Sequence, residues 1–321
     1  LFAAIAGLMS HRTEKSRDHW QAEVNESGLR LDRYLHEAFP EVTRSRFQQW
    51  IEAGCVSVSG YRSPLKPSFL VRAGQQITVT PPAPRTTTIE PREVPFTVLF
   101  EDADIIVIHK PPGYAVHPGV EDTSLTIVSG LLYRWQDLPG HRIRPGIVHR
   151  LDKATEGVLV VARTEFALAH LSQQFHDRTV EKEYFAWVMG APPPTGTIAA
   201  PIGRRRGDDL RMCIRGDGRM ATTHYQVERA VNSRAGRKFS ALNLRIETGR
   251  THQIRVHLAH IGCPVIGDPL YSRTYRRFEK YGMMLLAKRL AFDHPRSKER
   301  LSFSVDLPAR MQKFAAECSD L

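Results

Sequence analysis

Leu31, Tyr34, Leu35, Ala38 and Phe39 recur at the spacing of a single apolar helix face, and Pro40 closes the pattern. Thr43 then stands where an N-cap belongs, ahead of Phe47, Trp50 and Ile51, and Gly54 ends this second helix. CVSVSG and FLVRAGQQITVT alternate apolar with polar residues and predict short strands around a turn at Gly60. These elements predict a compact unit over residues 28–82, preceded by an N-terminal extension, residues 1–27. Pro81, Pro82, Pro84 and Pro91, around RTTT, predict an extended linker over residues 83–93, and a second domain fills residues 94–321.

In the second domain PFTVLFEDADIIVIHKPPG predicts a strand, an acidic turn and a strand, then a loop opened by Pro111, Pro112 and Gly113. Thr123 or Ser124 is placed to cap a helix that turns Leu125, Val128, Leu131 and Leu132 inward. Next comes RPGIVHRLDKATEGVLVVAR, Arg144 to Arg163: Pro145 and Gly146 break any preceding helix, and Gly157 permits a tight exit. Val158 to Val161, apolar on both faces, predict a central strand. Thr164 caps a helix carrying Phe166, Leu168, Leu171 and Phe175, and EKEYFAWVMG, ATTHYQVERAV, FSALNLRIET, GMMLLAKRLAF and LSFSVDL predict further strands, with a helix near Thr251. Strands cluster as neighbours instead of alternating with helices, which predicts an α+β domain with a mixed, mostly antiparallel sheet.

Composition adds a partner class. The formal net charge of +11, with a pI near 9.7, favours a polyanion such as nucleic acid. Cys55, Cys213, Cys263 and Cys318 form no CxxC pair, which argues against a zinc ribbon or a disulfide framework and suits a reducing cytoplasm. The sequence indicates no membrane span. Leu1 to Met9 is apolar without a basic flank, so Met9 reads as a start and the residues before it as an upstream extension, with a degenerate signal peptide as the alternative.

Candidate chemistry gathers first on the loop before Val158, which places His149, Arg150, Asp152 and Lys153 on a rigid strand platform. Two readings are open from these residues alone: Asp152 reacts, or Asp152 and Thr155 form an Asx turn into the strand. THQIRVHLAH, Thr251 to His260, holds three histidines at a spacing that fits no metal motif; Gly249, Arg250, Thr251 and His252 read instead as a helix N-terminus able to meet phosphate. Arg255 lies one turn on and, if buried, needs a carboxylate or an RNA phosphate. GRRRGDDLRMCIRGDGR concentrates Arg204, Arg205, Arg206, Arg211, Arg215 and Arg219, a backbone-binding arm or a solvated loop balanced by Asp208, Asp209 and Asp217. Tyr271 and Tyr275, beside Arg273, Arg276, Arg277 and Lys280, are either base-stacking residues or ordinary surface tyrosines. There is no Gly-rich phosphate loop of P-loop or Rossmann type and no G-x-S-x-G elbow, so what remains is a lone Asp in a basic loop.

Two resemblances carry the reading further. The two short helices, the V-x-V-x-G strand and the R-A-G-x-x-I strand resemble the S4 RNA-binding module, a small α/β unit, with Arg30, Arg33, Arg44 and Arg46 on the polar sides of its helices. In the second domain HRLDKATEG resembles the HRLDxxTSG motif of RluA-type pseudouridine synthases, EKEY the family's K-x-Y strand, and IAAPIGR its A-P-I-G-R segment. TGRTHQIRVHLAHIGCPVIGDPLYS resembles its long C-terminal motif. The resemblance runs from about Val94 to Leu307.

The resemblance implies isomerisation of uridine to pseudouridine within RNA, most often large-subunit ribosomal RNA, without cofactor or metal, by a cytoplasmic monomer. It implies Asp152 as the catalytic carboxylate, Tyr184 stacking on the flipped base and assisting loss of the C5 proton, and Arg255 pairing with Asp152. Arg150, with His149 beside it, would hold the displaced nucleotide and Leu285 would wall the pocket, while Arg250, Arg204, Arg205, Arg206 and the four arginines of the S4-like module would bind RNA. Two positions depart from the family: Glu156 stands where Ser is usual, and Leu286 where related chains commonly carry His. The rival expectations are an RNA-binding or ribosome-assembly protein with a vestigial site, a synthase acting on transfer RNA, and a nucleoside hydrolase.

Overall fold

The computed structural model describes residues 13–16, 19–62, 64–81, 89–119, 124–208 and 210–320, divided into units of residues 1–87 and 88–321. Leu1 to Met9, Pro82, Pro84, Thr123 and Asp209 lie outside the described residues. The first unit runs β1 (Thr13–Lys15), β2 (Trp20–Glu23), α1 (Leu31–Ala38), α2 (Arg44–Glu52), β3 (Val56–Val58) and β4 (Gln76–Val79). Its antiparallel sheet has the order β1-β2-β4-β3. Leu31, Leu35, Phe47 and Ile51 from the helices share one core with Val56, Val58, Ile77 and Val79 from the strands. The periodicity of the sequence marks α1, α2, β3 and β4. It does not mark β2, where Trp20, Ala22 and, just beyond the strand, Val24 turn inward at alternate positions in too short a run to stand out.

The second unit begins with β5 (Thr97–Glu101), β6 (Ile105–Lys110), α3 (Ile127–Arg134), β7 (Glu156–Ala162), α4 (Glu165–Asp177), β8 (Glu181–Met189) and β9 (Thr195–Arg204). It continues with β10 (Met212–Ile214), β11 (Arg219–Asn232), β12 (Lys238–Ile246), α5 (Gln253–His260), α6 (Tyr275–Phe278), β13 (Leu285–Asp293), β14 (Arg300–Ser304) and α7 (Ala309–Glu317). One sheet joins all these strands in the order β10-β9-β11-β12-β8-β13-β7-β6-β5, with β14 on β13. Only β7 against β13 is parallel, so the fold is α+β with a mixed, mostly antiparallel sheet. Every residue of β7 is buried.

The sheet's centre brings three strands together where the candidate chemistry lies. Tyr184 of β8 opposes Ala287 of β13, and Ala287 opposes Gly157 of β7. Gly157 has φ +135°, and a Cβ there would sit 2.2 Å from the Ala287 carbonyl oxygen, so only glycine lets these two strands approach so closely.

Some local expectations need correction. The cap of α3 is Thr126, whose hydroxyl meets Ser129 in a capping box, not Ser124; Leu125 therefore precedes the helix and is 39% exposed. Phe166 is 43% exposed because Ala167 and Leu171 take the inward face of α4. The strand β9 and the helix α7, with Met311, Phe314 and Cys318 buried at i, i+3 and i+7, are elements that the sequence pattern does not predict.

Candidate active site

The loop that enters β7 is fastened at several points by backbone and buried side chains. Ala162 donates to the Gly146 carbonyl, Ile147 bridges Val161, and the Val160 N–H donates to His149 Nε2 at 3.0 Å. The His149 ring also stacks on Phe175 at 4.6 Å, and burial, with the Lys182 charge, holds its pKa down at about 3. His149 is thus a neutral anchor of the loop. Thr155 N–H donates to the backbone carbonyl of Asp152, not to its carboxylate, so the turn closes without the side chain. The carboxylate is left to face the cleft.

Lys110, at the end of β6, completes this fastening. It is fully buried, and its Nζ donates to the carbonyls of Thr155 at 2.7 Å, Pro111 at 2.9 Å and Lys153 at 3.3 Å. Burial lowers its pKa to about 8 against the pull of Asp152 and Glu156. The loop's carbonyls accordingly have a cationic donor where water is excluded.

Across the cleft α5 delivers Arg255. His252 caps that helix in the left-handed region, φ 55°, and Gln253 fixes the turn: its Oε1 accepts from the Arg250 N–H and Thr248 Oγ1, and its Nε2 donates to Thr222 O and Thr223 Oγ1. Arg255 is buried, with Nε and Nη2 donating to the two oxygens of fully buried Asp268 at 2.7 and 2.9 Å. Its Nη1 donates to Asp152 Oδ2 at 3.1 Å. Burial acts to lower the guanidinium pKa but is outweighed by Asp268 and Asp152, which push it up. A planar fork held on one edge by a carboxylate presents its remaining nitrogen in a fixed direction. His252 stands 4.0 Å from Asp152 through Nε2 and meets the Tyr271 hydroxyl through Nδ1 at 2.9 Å; the Tyr271 ring lies 5.1 Å from the Arg255 guanidinium.

Arg150, Asp152, Tyr184, Arg250, Arg255 and Leu285 line one cavity. Burial and then the Asp152 charge push the Tyr184 phenol well above its ordinary pKa, so it is a neutral ring and O–H at physiological pH. The cavity is narrow, 60 Å³, well under the several hundred Å³ of a typical ligand pocket. Arg150 is exposed at its mouth and forms no hydrogen bond or ion pair with any described residue, so it is free to move aside.

The two departures from the family pattern are accounted for locally. Glu156 carries Arg310 of α7 on Oε2 at 2.7 Å and stands 3.1 Å from His109 Nε2 on the other oxygen. Burial acts to raise its pKa, yet His109 and Arg310 hold it below the ordinary value. Its charge therefore points to the C-terminal helix. Leu286 is fully buried in the core.

The remaining expected binding residues lie elsewhere. Arg204 ends β9, and Arg205 and Arg206 follow in an exposed turn between β9 and β10, so the arm is a hairpin in which Asp208 pairs with Arg211 and Asp217 with Arg215. Tyr271 accepts from the Met212 N–H at 2.8 Å and anchors the hairpin's return strand. His257 meets Thr223 and Ala200, which accounts for it structurally. In the first unit, buried Asp32 accepts from Arg30, Arg44 and Gln48; burial opposes these bonds but they hold its pKa near 2. Arg33 pairs with Glu37, and Arg46 lies over Trp50. Lys110, Asp268 and Gln253 were missed by sequence reasoning, since each works through contacts that no local pattern encodes.

A family model described as RNA pseudouridylate synthase matches residues 104–260, and one described as S4 domain matches residues 29–77. A ribosomal large subunit pseudouridine synthase D of Xanthomonas campestris is 40% identical over 309 residues, spanning 91% of this chain and 90% of that protein. An uncharacterized RNA pseudouridine synthase of Chloroflexus aurantiacus is 44% identical over 292 residues, spanning 91% and 90%. Among solved structures, human RNA pseudouridylate synthase domain containing 1 superposes with a TM-score of 0.55 at 28% identity, covering 67% of this chain and 84% of that one.

Proposed function

The chain belongs to the RNA pseudouridylate synthase family, and from that premise we propose that it isomerises uridines of large-subunit ribosomal RNA with Asp152 as its catalytic carboxylate and no cofactor. The observation that carries this reading is convergence. Asp152, Tyr184, Arg255 and Leu285 come from four separate segments and line one cavity, and Arg255 is held there by a second carboxylate. All four come from a single chain, so a monomer suffices.

The reaction breaks the bond between N1 of uracil and C1′ of ribose, turns the base, and joins C5 to C1′. C5 gives up its proton and N1 ends with one, so atoms balance without an added reactant. Asp152 supplies the carboxylate that meets the reacting nucleotide, and Arg255 fixes its direction. Tyr184 gives the flipped base a flat apolar wall and a neutral hydroxyl close to the departing C5 proton. Leu285 closes the opposite side and keeps water out of the glycosidic bond. Arg150 and Arg250 at the mouth meet the nucleotide and its phosphates, and His149 serves by positioning the loop.

Extruding a uridine costs a few kcal/mol, which backbone contacts must supply. Arg204, Arg205 and Arg206 on the hairpin, and Arg30, Arg33, Arg44 and Arg46 on the S4 domain, are the cations assigned to that task. The large-subunit substrate rests on the names of the relatives that match along nine tenths of their length. Among the described residues no helix is long and apolar enough to cross a membrane. We place the reaction in the cytoplasm, where ribosomal RNA is made.

The test is tritium release from RNA labelled at uridine C5, with the nucleoside product identified. Wild type is expected to release tritium and yield pseudouridine, and Asp152→Asn to release none. Free uracil as product would mean a hydrolase, and tight RNA binding without release would mean a binding protein.

A further inference from the structure

A second cavity, of 530 Å³, adjoins the first and shares Arg150, Tyr184 and Arg250 with it. Arg144, Arg178 and Lys182 also line it. No guanidinium or ammonium of these five forms an ion pair with a described residue; Arg250 alone has a hydrogen bond, a long one at 3.4 Å to the Met220 carbonyl. Glu247 is the lone carboxylate among the described residues of the lining, and its Oε1 is engaged by His224 at 2.8 Å.

The buried arginine Arg255 and the half-buried Arg289 and Arg310 by contrast all meet carboxylates. Like charges gathered around one cavity repel one another, most strongly at the half-buried Lys182 and Arg250, while Arg144, Arg150 and Arg178 are exposed to water. Three neighbouring groups register that field. Burial and then Arg178 lower the pKa of Lys182; burial and then Arg144 and Arg150 lower that of His117 to about 4. His117 Nδ1 is buried with no hydrogen-bond partner among the described residues, and the pKa of His149 is lowered by burial and then by Lys182. A cluster of one sign with no carboxylate bound to it among the described residues attracts an anion from outside.

The volume is too large for a single small anion, and the cations span it from the loop before His149, through the end of α4, to β8 and the turn before α5. A chain of phosphates meets all of them; one phosphate does not. We propose that this cavity seats successive phosphodiesters of the RNA strand on one side of the target uridine, held by Arg144, Arg178 and Lys182. The proposal rests on the synthase reading above and adds to it a direction. The strand leaves the reacting nucleotide past Tyr184 and into this cavity, so a substrate must extend on that side.

The experiment compares wild type with Arg178→Gln/Lys182→Gln and with Arg144→Gln, each first checked for an unchanged circular dichroism melt. Binding of a fluorescent uridine-containing oligonucleotide is followed by anisotropy over a range of salt. The double variant is expected to bind about tenfold or more weakly, with its logarithmic salt slope reduced by about 0.7 for each phosphate no longer neutralised. In tritium release the loss is expected mainly in KM. A neutral methylphosphonate at the linkages flanking the target is expected to weaken wild type and to add nothing to the double variant. Unchanged affinity and slope would overturn the proposal, as would pyrophosphate binding as tightly as the oligonucleotide, which would mark a seat for a free anion. Wild-type protein that binds RNA but releases no tritium would sink the synthase reading instead, while the salt slopes would still decide the seat.

Discussion

Asp268→Asn isolates one charge at the heart of the site. The substitution keeps the size of the side chain and leaves Oδ1 to accept from the Leu270 and Tyr271 N–H groups, at 2.9 and 3.2 Å, so the turn it closes survives. What it removes is half of the counter-charge to Arg255, which is buried and bound to both Asp268 oxygens. With charge centres about 4 Å apart and an effective dielectric near 20, the lost attraction is about 4 kcal/mol. Breaking a buried ion pair by removing one partner costs about 3–5 kcal/mol, and the retained amide oxygen places this change near 3. Asp152 becomes the remaining anionic partner of Arg255, so the guanidinium swings towards it and covers an oxygen that the proposed reaction needs free. The expected outcome is an unfolding free energy lowered by about 3 kcal/mol, read as a lower urea midpoint at unchanged slope, and tritium release reduced in kcat more than in KM. A loss under about 1 kcal/mol together with kcat within about twofold of wild type would refute the idea that Asp268 holds Arg255 in place.

Further substitutions probe the frame around the cleft. His149 is neutral in the fold, with a pKa near 3 against 6.5 when free, so unfolding takes up a proton in acid. Its contribution is complete above pH 6.5 and is lost as pH falls towards 3, at up to about 1.4 kcal/mol per pH unit; His149→Phe should remove that slope while costing about 1–3 kcal/mol throughout for the unpaired Val160 N–H, read from urea midpoints across this pH window. Glu156→Ser, which restores the family's usual residue, should destabilise by about 2 kcal/mol by stranding Arg310, and a second change, Arg310→Met, should recover part of the loss in the same assay. Gly157→Ala meets the Ala287 carbonyl 2.2 Å from its new methyl, and is expected to cost more than about 3 kcal/mol; a thermal melt within about 2 °C of wild type would show that β7 and β13 can part cheaply.

How much of this was legible in the sequence depends on how far apart the interacting residues lie. The strand Val158 to Val161 and the helix capped by Thr164 announce themselves within a few residues, because burial and capping are local patterns. Asp152 and Arg255 stand out as candidates in their own stretches, but their pairing was legible only through motif resemblance, because it is a contact across 103 residues. Asp268 sits in GDPLY as an ordinary turn residue, and nothing in that stretch says that both carboxylate oxygens are taken by Arg255. Lys110 looks like a surface lysine before two prolines; its burial follows from the loop of residues 153 to 155 folding over it. Glu156 reads locally as added charge on the catalytic loop, because its partner Arg310 is 154 residues away in a helix the pattern does not reveal.

Charge distribution ties the interior of the site to its mouth. Inside, Lys110, Arg255 and Arg310 stand against Asp152, Glu156 and Asp268, three cations and three carboxylates with little water among them. A site built this way holds Asp152 without calling on the substrate, since each interior charge already has its answer in the protein. The nucleotide brings its phosphates to this balanced interior, and a phosphate placed there would leave Asp152 and Asp268 facing another anion. The backbone must therefore stay outside while the neutral base enters. Arg144, Arg178 and Lys182, in no ion pair with a described residue, line the adjoining cavity, where in the proposed arrangement the phosphates remain when the base passes to Asp152. Tyr184 lines both cavities with its phenol held neutral, and in the proposed arrangement it stands between the base that reacts and the phosphates that are gripped.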